Sequence, residues 1–249
     1  MLTDPLFYAV AIPAVILLGL SKGGFVGVGN ISMPMLALAI SPLAAAAILL
    51  PILIVQDAVG IWAFRRDWDG TVLKVMIPGA AAGIFLGYLF AAQVSGDVVL
   101  GAVGILSILF ALHRLWLERG GRLVAASNSP LWVGALFGAA AGFTSQIAHA
   151  GGPPYQMWVM PRRLPRDVLV GTTALFFGAV NWIKVPAYLA LGQFTTPNML
   201  AAALLMPVAI LSTFAGVRLV KSVSAERFYT AIYILMLLVG LKLTYDAFS

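Results

Sequence analysis

The stretch 142–161, GFTSQIAHAGGPPYQMWVMP, places helix-breaking residues inside an apolar part of the chain. The glycines at 151–152 free the backbone and the prolines at 153–154 remove two backbone donors, so a helix should break here. Broken backbone at membrane depth is tolerated only where protein buries it or a wet cavity receives it. A second such stretch, SKGGFVGVGNISMP, occupies 21–34. Two interrupted segments in corresponding halves indicate the binding site of a transporter.

The composition assigns the chain to the integral membrane proteins. Apolar residues make up 61% of it and charged residues 10%, against about 25% charged residues in soluble domains. The formal net charge of +6 indicates topology rather than a nucleic-acid partner, because the basic residues lie between apolar runs. The absence of cysteine excludes disulfides and thiolate metal sites. The N-terminal apolar run lacks the basic region and the small-residue cleavage site of a signal peptide, so we expect it to be part of the mature protein.

The apolar runs fall into two halves with the same layout. We predict an all-α polytopic membrane protein with two inverted repeats, each built from a broken or re-entrant helical hairpin and three transmembrane helices. The first repeat, 1–122, comprises the broken segment 6–40 and the spans 43–64, 72–92 and 98–117; the second repeat, 123–249, comprises the broken segment 131–161 and the spans 168–191, 197–217 and 228–245. The first arm, 6–20, is shorter than the ~20 residues that cross a bilayer.

Internal similarity and charge placement both support this layout. Residues 78–115 align with 207–244 without gaps, with 11 identities in 38 positions. Basic turns should face the cytoplasm, and they lie at 65–74, 114–122, 162–166 and 218–227. This placement agrees with inverted repeats if each broken segment returns to the side from which it entered. The alternative is eight spans, in which each broken segment forms one kinked crossing.

Each break should leave a half-helix that starts inside the membrane, with unpaired N–H groups and the positive end of a helix dipole. Such an end binds small oxyanions. The candidate substrate-binding residues permit close approach, offer hydrogen bonds, add positive charge or line the pathway: Ser21, Lys22, Gly27, Gly29, Asn30, Ser32, Thr144, Ser145, Gln146, His149, Gly151, Gly152 and Tyr155. Neither break contains a carboxylate, which favours an anion over a metal cation.

A second predicted group could couple transport to an ion or form an ion pair: Asp57, Asn181, Lys184 and His149. Ionisable residues inside a membrane are costly and usually functional. A neutralising pair between Asp57 and Lys184 is the simpler interpretation, and His149 is either a structural histidine or a proton-coupling group. Lys22 could instead extend towards the membrane surface. The glycine stripes at 79/83/87 and 134/138/142 indicate close helix packing.

The two glycine-rich breaks, GGFVGVGNISMPML and GFTSQIAHAGGPPYQ, resemble those of the TauE/SafE family of sulfite-exporter-like membrane proteins. The resemblance covers nearly the whole chain. It implies an export carrier in the plasma (bacterial inner) membrane for small sulfur-containing anions, such as sulfite or organosulfonates like sulfoacetate. The chain departs from the family pattern at Asn30, where a further glycine is common, and at AHAGGPP, which replaces a glycine triplet.

The leading hypothesis is therefore a secondary transporter of small anions, embedded in the lipid bilayer, with no enzyme activity, cofactor or metal. No GxxxxGK[ST] phosphate loop is present to hydrolyse ATP, and no HExxH motif is present to hold zinc. Two alternatives stay open: an anion channel, and an intramembrane enzyme or assembly factor. A homodimer is compatible with the sequence.

Overall fold

A computed structural model describes residues 4–23, 28–120, 129–219 and 226–249, and these ranges are helical throughout apart from short connections. The helices are α1 (Pro5–Gly23), α2 (Ser32–Ala37), α3 (Pro42–Ala63), α4 (Gly70–Gln93), α5 (Gly96–Glu118), α6 (Leu131–Ala148), α7 (Gly152–Val159), α8 (Arg166–Ala190), α9 (Thr196–Leu219) and α10 (Glu226–Phe248). Single 3₁₀ turns cover Val28–Ile31 and Met160–Arg162. Within the described ranges, α1, α3, α4, α5, α6, α8 and α9 are long and apolar enough to cross a membrane. The predicted all-α membrane class is confirmed.

Local sequence sets several helix starts. The Ser41 hydroxyl accepts a hydrogen bond from the Ala44 amide at 3.4 Å, and Pro42 occupies the first helical position of α3. The Asp69 carboxylate accepts the amides of Thr71 and Val72 at 2.8 and 2.9 Å at the start of α4. Polar side chains of this kind satisfy amides that have no partner inside the helix.

The helices on the N-terminal side of both breaks are longer than the sequence suggested. Helix α1 has 19 residues and continues through Ser21 and Lys22, so its predicted arm of 6–20 was too short. Helix α6 likewise continues through Thr144, Ser145 and Gln146 to Ala148, so these polar residues lie in regular helix rather than in broken backbone. Polar residues alone do not end a helix. The second break is confined to 149–151, where His149 adopts the left-handed conformation with φ 49°.

Both broken segments are hairpins. In the second, Ala150 N–H donates to the Thr144 carbonyl at 3.3 Å, and the Thr144 hydroxyl donates to the Ala150 carbonyl at 3.0 Å. Further along, the Trp158 ring of α7 packs against Gly134, near the start of α6. In the first hairpin, the Ser32 hydroxyl donates to the carbonyl of Ala14 at 2.7 Å, well back along α1. In each broken segment the described chain thus turns back beside its own first helix, as a hairpin does.

In two of the contacts between the halves, the first helix of one half packs against a later helix of the other half. Helix α4 runs parallel to α6, with Gly79 and Gly83 against the backbone of Ala135 and Ala139. Helix α1 runs parallel to α9 in the corresponding way, with Gly19 against Ser212. The glycine stripe on α4 thus serves close helix approach, as predicted.

Two further pairs join helices in matching positions of the two halves. Helix α5 packs antiparallel to α10, with residues 101, 104 and 107 opposite 248, 244 and 240. Helix α3 packs antiparallel to α8, with Asp57 near Gly178 and Asn181. At the end of this pair the Asp69 amide donates to the Thr172 hydroxyl at 2.8 Å, so the turns after α3 and before α8 lie at the same end of the molecule.

Candidate functional site

One face of α8 organises the interior. Thr173, Phe177, Asn181, Lys184 and Tyr188 are spaced by three or four residues, so their side chains project from the same side of the helix. Every member of this face contacts a broken segment or α3. Because α8 is a continuous 25-residue helix, it holds these groups in fixed register against the two breaks.

Lys184 is a fully buried lysine surrounded by neutral partners. Its ammonium Nζ donates to the carbonyl and hydroxyl of Ser145 at 3.3 and 3.1 Å, and to His149 Nδ1 at 2.7 Å. These three acceptors match the three N–H groups of an ammonium. Among the described residues, no carboxylate forms an ion pair with it. A buried charge without a counter-charge is costly, so this residue is unusual on stability grounds.

His149 links the second break to α3. Its Nε2 lies 2.9 Å from the carbonyl oxygen of Ala46, which can only accept, so Nε2 carries the proton. Its Nδ1 then accepts from Lys184, and the imidazole is neutral. The ring stacks on Tyr188 with centroids 6.2 Å apart, and the Tyr188 hydroxyl donates to the Gln146 carbonyl at 2.8 Å.

Asp57 is paired with Lys22, and this corrects the expected Asp57–Lys184 pair. The Lys22 ammonium bonds Oδ1 of the buried carboxylate, while Asn181 Nδ2 donates to Oδ2 at 2.5 Å. Lys22 also lies over the Phe177 ring, 5.4 Å from its centroid, with 20% of its side chain exposed. Lys22 therefore points into the helix bundle and does not extend to the membrane surface.

The two broken segments meet at Asn30 and Gly152. A Cβ atom placed on Gly152 would lie 3.4 Å from Asn30 Oδ1. One placed on Gly151 would lie 3.1 Å from both the Phe177 ring and Ser145 Cβ. The two glycines therefore bring the backbone of the second break close to the side-chain amide of Asn30 and to Ser145, which is a hydrogen-bond partner of Lys184.

The start of α7 offers fewer amides than the sequence suggested. Pro153 and Pro154 stand in its first turn and carry no N–H. Among the described residues no acceptor is found for the amides of Gly151 and Gly152, whereas the Tyr155 amide donates back to the Gly151 carbonyl at 3.2 Å. In the first half, the 3₁₀ turn Val28–Ile31 runs directly into α2, so the described helical backbone after the break already begins at Val28.

The remaining predicted residues have mainly local partners. Ser32 and Thr144 hold their own hairpins together through the bonds described above, and Ser21 packs against Gly29. The Tyr155 hydroxyl lies 3.0 Å from the hydroxyl of Thr173, and its ring stacks on Phe176. Gln146 is buried, and neither polar atom of its side chain has a hydrogen-bond partner among the described residues. Gly27 lies outside the described residues.

Three contacting residues were not singled out from the sequence: Thr173, Phe177 and Tyr188. They could have been found from their spacing along the sequence, because residues three or four positions apart share a helix face and these continue the face of Asn181 and Lys184. The carbonyl of Ala46 has no such signal, since only the packing of α3 against the break brings it to His149.

The fold and the site together define a polytopic, all-helical membrane protein in which two helical hairpins converge on a buried lysine, a buried aspartate and a half-buried histidine. The model of one protein family, the sulfite exporter TauE/SafE, matches residues 11–243. The chain therefore belongs to the TauE/SafE family of membrane transporters. Comparison with curated proteins returned no match, and neither did comparison with solved structures.

Proposed function

We propose that this protein is a secondary transporter that exports small oxyanions such as sulfite or organosulfonates across the plasma membrane. Lys184 carries the proposal, because it is a fully buried lysine whose hydrogen-bond partners are all neutral. A negatively charged substrate bound nearby would supply the missing counter-charge, and the attraction would be strong because the surroundings are apolar. Membership of the TauE/SafE family supports the same class of substrate.

We place the substrate where the two hairpins meet, beside Gly151 and Gly152. The free amides of these glycines provide hydrogen-bond donors, and the Asn30 side chain faces them from the first hairpin. Lys184 reaches the same region through its bond to Ser145, which packs against Gly151. An oxyanion there would combine backbone donors with the field of a buried cation, as anion sites at helix starts commonly do.

We further propose that the two halves are inverted repeats that rock against each other around this site. Helices in matching positions, α3 with α8 and α5 with α10, pack antiparallel, as an axis in the membrane plane requires. Rotation about the same axis would superpose the parallel pair α4–α6 on the parallel pair α9–α1. Such motion gives alternating access, whereas a channel needs a continuous pore.

The test uses the purified protein in proteoliposomes loaded with unlabelled sulfite, with radiolabelled sulfite outside. A carrier should show counterflow, which is a transient accumulation of label that a channel does not produce. Replacing His149, Ser145 or Asn30 with alanine should lower the initial rate of sulfite uptake by roughly tenfold. This is the effect expected when a hydrogen bond that involves a charged group is lost.

Ser107→Ala is the matched control, because Ser107 is as buried as Ser145 but its hydroxyl donates only to the carbonyl of Val103 within α5, at 2.6 Å. It should transport sulfite at the wild-type rate. Wild-type protein without counterflow would overturn the carrier, and unchanged rates in all three site variants would remove the proposed site.

A further inference from the structure

The charges of the side chains around the site do not sum to zero. Lys22 and Asp57 neutralise each other, His149 is neutral by its hydrogen bonds, and Lys184 is left over. Within the described part of the chain, Asp57 and Lys184 are the charged residues that are buried. The cluster therefore carries an excess of one positive charge when both lysines are protonated.

From this balance we infer that the site selects monoanions over dianions, and that Asp57 is the residue that sets this preference. The inference rests on the proposed function, since it concerns the substrate of the same site. One negative charge brings the cluster to neutrality. A second would leave an uncompensated negative charge in an apolar interior, which is costly.

Asp57 is placed to act on the substrate through charge rather than contact. Both of its oxygens are taken, one by Lys22 and the other by Asn181 at 2.5 Å. Asn181 lies one helical turn from Lys184 on the same face of α8, so the carboxylate is close to the left-over ammonium. A carboxylate beside an anion site weakens anion binding in general. Its effect is largest for the anion with the greater charge, and this difference produces selectivity.

Methanesulfonate and sulfate are suitable probes, because both are small tetrahedral sulfur oxyanions that differ by one unit of charge at neutral pH. Dissociation constants for both are measured on the purified protein by ligand-dependent thermal shift at constant ionic strength. Wild-type protein should bind methanesulfonate at least about tenfold more tightly than sulfate. Asp57→Asn raises the excess charge to two, and the preference should fall by at least about tenfold, towards sulfate.

The double variant Lys22→Gln/Asp57→Asn returns the excess to one positive charge. It should recover a preference for methanesulfonate even though it lacks the ion pair, which a purely structural role of Asp57 would not produce. If Asp57→Asn does not fold, the double variant and Asp57→Glu decide the matter, and both should retain the wild-type preference.

The possible failures are distinguishable. Wild-type protein that binds methanesulfonate and sulfate equally, or prefers sulfate, overturns the monoanion inference and leaves anion transport standing. An unchanged ratio in folded Asp57→Asn, or a preference for sulfate in the double variant, also overturns it. Wild-type protein that binds neither probe and shows no sulfite counterflow overturns the proposed function and the inference with it.

Discussion

His149 has a structural role and a chemical role that belong to different atoms. Its backbone takes the left-handed conformation that ends α6, while its ring joins Lys184 to the carbonyl of Ala46. The left-handed conformation costs a non-glycine residue roughly 1–2 kcal/mol. The side chain is therefore held at this position against a backbone preference, and strain of this type is concentrated at functional sites.

Two substitutions at His149 separate these roles. His149→Gly should be more stable than His149→Ala by about 1 kcal/mol, because both lack the ring but only alanine retains the cost of positive φ. Sulfite counterflow should be equally low in the two variants. Thermal unfolding in detergent measures the stability difference. Equal stability of the two variants would contradict the left-handed backbone, and normal transport by either would contradict a role for the ring.

Charged residues of the site could be identified from the sequence, but their pairing could not. Lys22, Asp57 and Lys184 stand out because ionisable groups are rare in apolar runs. Which lysine reaches Asp57 depends on how α1 and α8 are rotated against α3. Those rotations follow from packing across the whole bundle, so the Lys22–Asp57 pair becomes visible only in the structure.

At the level of helices, the contact between α4 and α6 depends on the absence of side chains. A Cβ atom at Gly83 would lie 1.9 Å from the carbonyl oxygen of Ala139, which belongs to rigid helix backbone. By contrast, a Cβ atom at Gly60 on α3 would lie 3.4 Å from Ala174 Cβ, an ordinary contact. The two glycines therefore allow a matched comparison within one molecule.

Gly83→Ala should separate α4 from α6 and destabilise the protein by more than about 3 kcal/mol, or prevent its accumulation in the membrane. Gly60→Ala should change the free energy of unfolding by less than about 1 kcal/mol, because the better helix propensity of alanine offsets a small adjustment. Thermal unfolding of the purified variants provides the measurement. Similar losses in both variants would contradict the close approach at Gly83.

The breaks show how far local sequence determines an element. The position of the second break follows from Gly151, Gly152 and the two prolines, and the structure has a break there. Its extent does not follow, because Thr144, Ser145 and Gln146 fit within a helix whose neighbours bury them. The doubled proline begins α7 rather than ending α6, since proline is well tolerated in the first turn of a helix.

For the whole molecule, the order of elements and the sites of the breaks were accessible from hydropathy, glycine and proline. The direction of one half relative to the other was inferred from basic turns alone. The turns after α3 and before α8 lie at the same end of the structure, joined by the bond from Asp69 to Thr172. Their common charge agrees with a common cytoplasmic face.

Single cysteines test the inverted arrangement directly, because the natural chain contains none. Asp67, Ser95 and Thr195 are exposed in turns. Asp67→Cys should react with a membrane-impermeant maleimide only after the cells are permeabilised, whereas Ser95→Cys and Thr195→Cys should react in intact spheroplasts. Residues 67 and 195 follow matching helices, α3 and α8. Labelling of both from the same side would therefore indicate parallel repeats and exclude inversion.

The hydrogen bond between Asp57 and Asn181 joins corresponding positions of the two proposed repeats. These residues are 124 positions apart, as are the first residues of α3 and α8. If the two halves were identical, this position would face its own copy. Two aspartates would repel each other at the contact, and two asparagines would place no carboxylate there. One chain with two different halves can therefore carry an electrically unequal centre, which two identical subunits could not provide.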